Sequence, residues 1–276
     1  MPVAKTSTEK SSAARNKPKP PATTAKIAKP QLAQTTAAKT KVAKSKGAKA
    51  SYDPLAPERV KEILNRLDER YPKVRCALHH NNAWELLVAT ILSAQCTDVR
   101  VNMVTPVLFQ KYPTPHAFAA LKPEQLEPDI RSTGFFRNKS KSIVGAAKGV
   151  VEEFGGQVPD DMDKLLSLPG VARKTANVVL GSWFGKAVGV VVDTHVHRIS
   201  RRLELTKADD PKNIEQDLMK VIPQSKWIEY SHQIIHHGRA LCIARRPKCA
   251  ECPLENTCHA ADKTWSTVEI HKSAQP

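Results

Sequence analysis

Beyond residue 55 the apolar positions of the chain fall at helical spacing. Val60, Ile63, Leu64, Leu67 and Tyr71 recur at three- and four-residue intervals, with Pro57 near the start and Pro72 past the end, which predicts an amphipathic helix. Trp84 to Leu92 is apolar nearly all round, the pattern of a helix buried in a domain centre. Ile143, Val144, Ala147, Val150, Val151 and Phe154 form a third stripe, closed by Gly155 and Gly156. Further helical patterns run through 175–183, 195–203, 213–222 and 227–241. The run AVGVVV, Ala187 to Val192, is strand-like but has no second run to pair with, so the predicted fold is all-α.

Composition changes the picture at the N-terminus. Residues 1–50 are mostly Ala, Lys, Thr, Ser and Pro, with too few large apolar side chains to offset the entropy of ordering, and are expected to form a disordered basic tail. They hold 12 Lys or Arg against one acid, Glu9, and so carry +11 of the chain's net +16. Such a balance points to a polyanionic partner, which the tail would meet either as a phosphate-binding arm or as a solvated linker. The longest apolar run, Leu86 to Ala94, falls far short of the roughly 20 residues that span a bilayer, so no membrane segment is expected.

Four of the six cysteines crowd together: Cys242, Cys249, Cys252 and Cys258 follow the spacing C-x6-C-x2-C-x5-C. Short loops bring four thiolates around one metal centre, either a structural zinc or an iron-sulfur cubane, since both accept four thiolates. Zinc ribbons usually supply two C-x2-C knuckles, and here there is one. The loop between the first two ligands carries Arg245, Arg246 and Lys248, either a solvated face or a rigid phosphate contact. Cys76 and Cys96, far away in apolar contexts, read as ordinary buried thiols.

The stretch SLPGVARKTANVVLG, Ser167 to Gly181, reads as two helices joined at Pro169-Gly170. Such a turn is common punctuation, but it also exposes backbone N–H groups at a helix start, where a phosphate binds without reading sequence. Lys174 then stands where a helix begins and beside Arg173, although cations are favoured at the other end. Most lysines are simply solvated; one whose amine is kept neutral forms Schiff bases with carbonyl-like carbons. Asp193 ends the apolar run VGVVV and opens THVHRISRRL, where it is a good N-cap and also a carboxylate at a core's edge that can steer a cation-like transition state. His195 and His197 lack neighbouring donors at metal spacing and read as helix or DNA-facing residues.

Together LPGVARKTANVVL, VDTHVHR, LLVATILSAQCTD and the cysteine pattern resemble the endonuclease III family of DNA glycosylases with apurinic/apyrimidinic lyase activity, over about residues 55–262. The resemblance implies a helix-hairpin-helix glycosylase fold: a six-helix domain over 76–187 and a second helical domain from 51–75 plus 188–262, with a DNA-binding cleft between them and 263–276 as a flexible C-terminus. It implies a [4Fe-4S] cluster on the four cysteines, Lys174 as nucleophile and Asp193 as catalytic acid. Gln95 would fill the gap left by an extruded base and Phe135 would wedge into the opposite strand, unless it is an ordinary core residue; the stretch GFFRNKSKS that holds it reads as loop-like and basic. Gly170, Ala172, Thr175, His195 and the Arg245, Arg246, Lys248 loop complete the expected DNA contacts. The implied activity is removal of oxidised pyrimidines from duplex DNA and β-elimination at the abasic site, by a cytoplasmic, nucleoid-associated monomer. Relatives that only remove a base commonly have tyrosine where this chain has Lys174. Two departures stand out. Ala172 replaces the family's second hairpin glycine and is expected to be harmless in a helical backbone, and the connection 183–192 is about one residue longer.

Overall fold

The first apolar stripe forms α1 (Pro57–Arg70), which buries Val60, Ile63, Leu64 and Leu67 and has proline at its start, where the missing N–H breaks no helical bond. The computed structural model describes residues 52–264; the tail 1–50 and most of the C-terminal stretch, 265–276, lie outside the described residues. Ten further helices follow: α2 (Ala83–Leu92), α3 (Asp98–Lys111), α4 (Pro115–Ala119), α5 (Pro123–Ile130), α6 (Phe136–Phe154), α7 (Met162–Ser167), α8 (Arg173–Ser182), α9 (Thr194–Arg202), α10 (Pro211–Val221) and α11 (Trp227–Ala240). The fold is all-α. Among the described residues there is no strand: 190–193 has no regular secondary structure, with Val190, Val191 and Val192 buried and the Val191 N–H donating to Ser231 Oγ at 3.1 Å.

Buried apolar side chains fall into two clusters. One draws on residues from Leu78 to Leu180 and is centred on α2, whose Leu86, Leu87, Val88, Ala89 and Leu92 are fully buried. The other joins α1 to residues from Val190 to Leu254, so the chain contributes its first helix to the core it completes last. The segment after α8 leads from the first cluster to the second and ends at Asp193.

Three features depart from the sequence reading. Helices α3 to α5 escaped it because Pro106 lies inside α3, Pro128 inside α5, and α4 is too short to display a period. The stretch GFFRNKSKS, expected as a basic loop, is helical from Phe136 onward. Its inward positions are Lys139 and Ser140, buried through hydrogen bonds and therefore invisible to an apolar count. Cys76 and Cys96 are half-buried, not fully buried, and each lies in a connection between helices.

Candidate active site

Asp161 caps α7 by accepting from the N–H groups of Asp163 and Lys164, and the chain leaves that helix extended at Leu168. The Val171 N–H then donates to the Leu168 carbonyl at 3.1 Å, closing the hairpin turn. Gly170 has φ +77°, and a Cβ built there would lie 2.3 Å from Cβ of Ser142 on α6, so the turn needs glycine for its backbone and for its approach. Ala172 is extended, with φ −89° and ψ 165°, where helical backbone was expected. Its φ is negative all the same, so alanine adds no strain in place of a second glycine. Helix α8 has no side-chain cap and no acid in its first turn, which leaves its leading N–H groups open to an anion. Gly170, Ala172 and Lys174 are exposed, and Thr175 is half-buried.

Arg173 does not stand as a bare charge beside Lys174. Its guanidinium grips Glu215 of α10 with two hydrogen bonds, 2.8 and 3.1 Å, and buried Glu215 also accepts from Asn177 Nδ2 at 2.9 Å. Lys174 and Asp193 line one pocket together with Asp98, His232, His236 and Arg239. Asp98 and Arg239 form an ion pair there. Asp193 reaches the pocket because the buried valine run before it is anchored in the second core, and it caps α9 as its sequence position predicts. Oδ1 accepts both capping bonds, from the N–H groups of His195 and Val196 at 2.8 Å, and leaves Oδ2 without a hydrogen bond among the described residues.

Helix α11 supplies the site residues that sequence reading missed. His232 meets Ser182 Oγ at 3.1 Å, and burial lowers its pKa to about 4. His236 has its Nε2 buried with no partner among the described residues. The signal was present in SHQIIHHG: His232 and His236 are four apart, hence on one helix face. His195 is half-buried against Gly238 of α11, where any Cβ would come within 2.6 Å of its Nδ1, and that nitrogen accepts from Arg198 Nη2 at 3.2 Å. Burial lowers its pKa, opposed by Asp193.

Four non-glycine residues among those described have left-handed backbone: Gln95 (φ 52°), Phe135 (49°), Glu204 (56°) and Arg246 (57°). Three of them were singled out in the sequence as DNA contacts. Side chains in that region are strained, and such strain persists where the surroundings enforce it. Phe135 is 62% exposed, so it is not a core residue; Gln95 is exposed as well. Arg245, Arg246 and Lys248 are exposed around buried Pro247.

Cys242, Cys249, Cys252 and Cys258 all line one cavity. Arg202 Nη1 donates to Cys242 Sγ at 3.2 Å, and His237 Nε2 lies 3.4 Å from Cys252 Sγ. Burial, aided by the charges of its three companion thiols, pushes the Cys252 thiol up to about 12, a repulsion that a cationic centre would reverse. Among the described residues no three His, Cys, Asp or Glu side chains gather as tightly as a single ion needs. Four cysteines lining one cavity are the donor set that a four-thiolate centre takes.

Residues 88–224 match the HhH-GPD superfamily of base excision DNA repair proteins. Endonuclease III of Synechocystis sp. is 58% identical over 204 residues, which cover 74% of this chain and 93% of that protein. Endonuclease III of Bacillus subtilis is 44% identical over 207 residues, 75% of this chain and 94% of its own. A solved structure of a trapped endonuclease III-DNA covalent intermediate superposes with a TM-score of 0.70 at 44% identity, covering 74% of this chain and 95% of that one. The hairpin, the lysine and aspartate that share its pocket, and this similarity along most of its length make the chain a member of the endonuclease III family.

Proposed function

We propose that this base excision repair glycosylase acts as a monomer that removes oxidised pyrimidines from duplex DNA and cuts the strand 3′ to the abasic site, with Lys174 as nucleophile and Asp193 as its carboxylate partner. The observation that carries this reading is that Lys174, exposed at the uncapped start of α8, lines the same pocket as Asp193. A damaged nucleotide has to leave the stack before its C1′ can be reached. The Lys174 amine forms the Nζ–C1′ bond as the bond from C1′ to the base breaks, the electron pair leaving with the base. Asp193 takes a proton from the amine and stabilises the positive charge that develops at the sugar. Opening of the sugar gives a Schiff base; loss of a C2′ proton then expels the 3′ phosphate oxygen and breaks the strand, and hydrolysis frees Lys174.

Gln95 would occupy the gap left by the extruded base while Phe135 wedges into the opposite strand, and the amides around Gly170, Ala172 and Thr175 would hold phosphate. His195, turned against α11, is assigned a packing role instead. Cys242, Cys249, Cys252 and Cys258 would hold a [4Fe-4S] cluster. When bound, the cluster anchors the short loop between its ligands, and Arg245, Arg246 and Lys248 are thereby held for phosphate contact.

Borohydride reduction in the presence of abasic duplex DNA is expected to trap a covalent adduct with the wild-type protein and none with Lys174→Ala. A folded, DNA-binding wild type that yields no adduct overturns the reading. For the cluster, anaerobically purified protein is expected to absorb in the visible and to contain iron; a colourless, zinc-loaded protein would sink that assignment.

A further inference from the structure

Among the described residues Lys139 is the buried lysine, only 4% exposed, on the second turn of α6. An ammonium is tolerated in such a place only when hydrogen bonds replace its water. Its Nζ donates to the Leu92 carbonyl at 2.7 Å and to the Thr133 carbonyl at 2.8 Å. Leu92 is the last residue of α2, where carbonyls lack helical partners and the helix dipole favours a cation. Thr133 ends the short 3-10 turn Arg131–Thr133 that precedes Gly134.

What these two carbonyls lead into gives the contact its meaning. The chain reaches Gln95 three residues after Leu92 and Phe135 two residues after Thr133, and both residues are exposed and left-handed. The Phe135 carbonyl in turn accepts from the backbone N–H of Lys139 at 3.1 Å. One side chain therefore joins the bases of two turns that are forty positions apart in sequence. Left-handed side-chain-bearing residues relax unless their surroundings over-determine them. Two groups that must enter the space of one extruded nucleotide also have little freedom, because successive base pairs are only about 3.4 Å apart.

We propose that Lys139 is a positioning residue: its ammonium sets the separation of the Gln95 and Phe135 turns, so that both side chains enter the duplex at the same nucleotide. This rests on the reading of Gln95 as gap filler and Phe135 as wedge. Replacing Lys139 with methionine keeps the bulk but leaves both carbonyls unpaired and the turns unlinked.

The test uses the full-length protein and a duplex with 2-aminopurine opposite a tetrahydrofuran abasic analogue, in which unstacking of the estranged base raises fluorescence. Lys139→Met, folded by circular dichroism, is expected to lose most of the fluorescence rise and about tenfold in single-turnover rate on a duplex abasic site. Its affinity for undamaged duplex, which depends on phosphate contacts, should change by less than about twofold. A purely structural lysine would lower thermal stability and leave the fluorescence rise intact, and that outcome overturns the proposal. Should the methionine variant not fold, Lys139→Gln, whose amide is uncharged and sits on a side chain one bond shorter, is read in the same way. Phe135→Ala and Gln95→Ala separate the two levels of the argument. If both give the wild-type rise, the wedge reading fails and the proposal with it; if both lose the rise while folded Lys139→Met retains it, the proposal alone fails.

Discussion

Arg173 and Glu215 are joined by a two-pronged ion pair, Nε to Oε2 at 2.8 Å and Nη2 to Oε1 at 3.1 Å, which fastens the first turn of α8 to α10. The carboxylate side chain is 7% exposed and the arginine 47%, so the pair is unequally buried. Removing the arginine strands a buried charge. Arg173→Ala is expected to cost about 2–4 kcal/mol in a denaturant titration, while the double variant Arg173→Ala, Glu215→Met recovers at least half of that loss. Equal destabilisation in single and double variants would refute this account. Because the pair holds the helix that bears Lys174, the single variant should also lower the single-turnover rate.

Substitution can separate the capping of α9 by Asp193 from its proposed catalytic role. Asparagine caps a helix about as well as aspartate, whereas alanine costs about 1 kcal/mol. Asp193→Asn should therefore melt close to the wild type yet lose roughly a hundredfold or more in single-turnover excision. Asp193→Ala should lose both. An asparagine variant with wild-type rate would leave Asp193 only the capping role.

The left-handed turns predict an exchange of stability for activity. Asn and Gly adopt positive φ with less strain, and the exposed Phe135 side chain loses little buried area when removed. Phe135→Asn and Gln95→Gly are each expected to raise stability by up to about 1 kcal/mol and to slow processing of duplex abasic sites. Variants that are neither more stable nor slower would show that these conformations store no functional strain.

His232 predicts a pH dependence. Above its ordinary value of 6.5 the ring is neutral in both folded and unfolded chains and adds no slope. Between 6.5 and about 4, the unfolded chain binds a proton that burial, aided by nearby His236, denies the folded one. Stability therefore falls as pH falls through this window, by up to about 1.4 kcal/mol per unit from this group. His232→Gln should flatten that part of the stability profile measured by denaturation. An unchanged difference between wild type and variant from pH 7 to pH 5 would contradict it.

Much of the candidate site could be read along the chain because its determinants are local. The hairpin was legible from Pro169-Gly170, and the Asp193 cap from an acid between an apolar run and a helical pattern. Hydrogen bonding within a turn or a first helical turn depends on neighbours in sequence, and the residues printed there are enough. The reading stopped where burial is polar. Lys139 fell in a stretch that reads as a basic loop, and Glu215 drew no reading at all, because each is buried through hydrogen bonds that periodicity does not register.

The sequence by itself therefore determined the helices with clear apolar stripes, the turn that precedes Lys174, the cap at Asp193 and the close spacing of four cysteines. Only the tertiary structure decided that Lys174 and Asp193 open onto one pocket with His232 and His236, that Arg173 belongs to Glu215, and that Lys139 links the turns of Gln95 and Phe135. The division has one physical cause. Periodicity and capping are set by residues within a helical turn of each other, whereas a pocket or a buried ion pair exists only after distant helices have packed and excluded water between them.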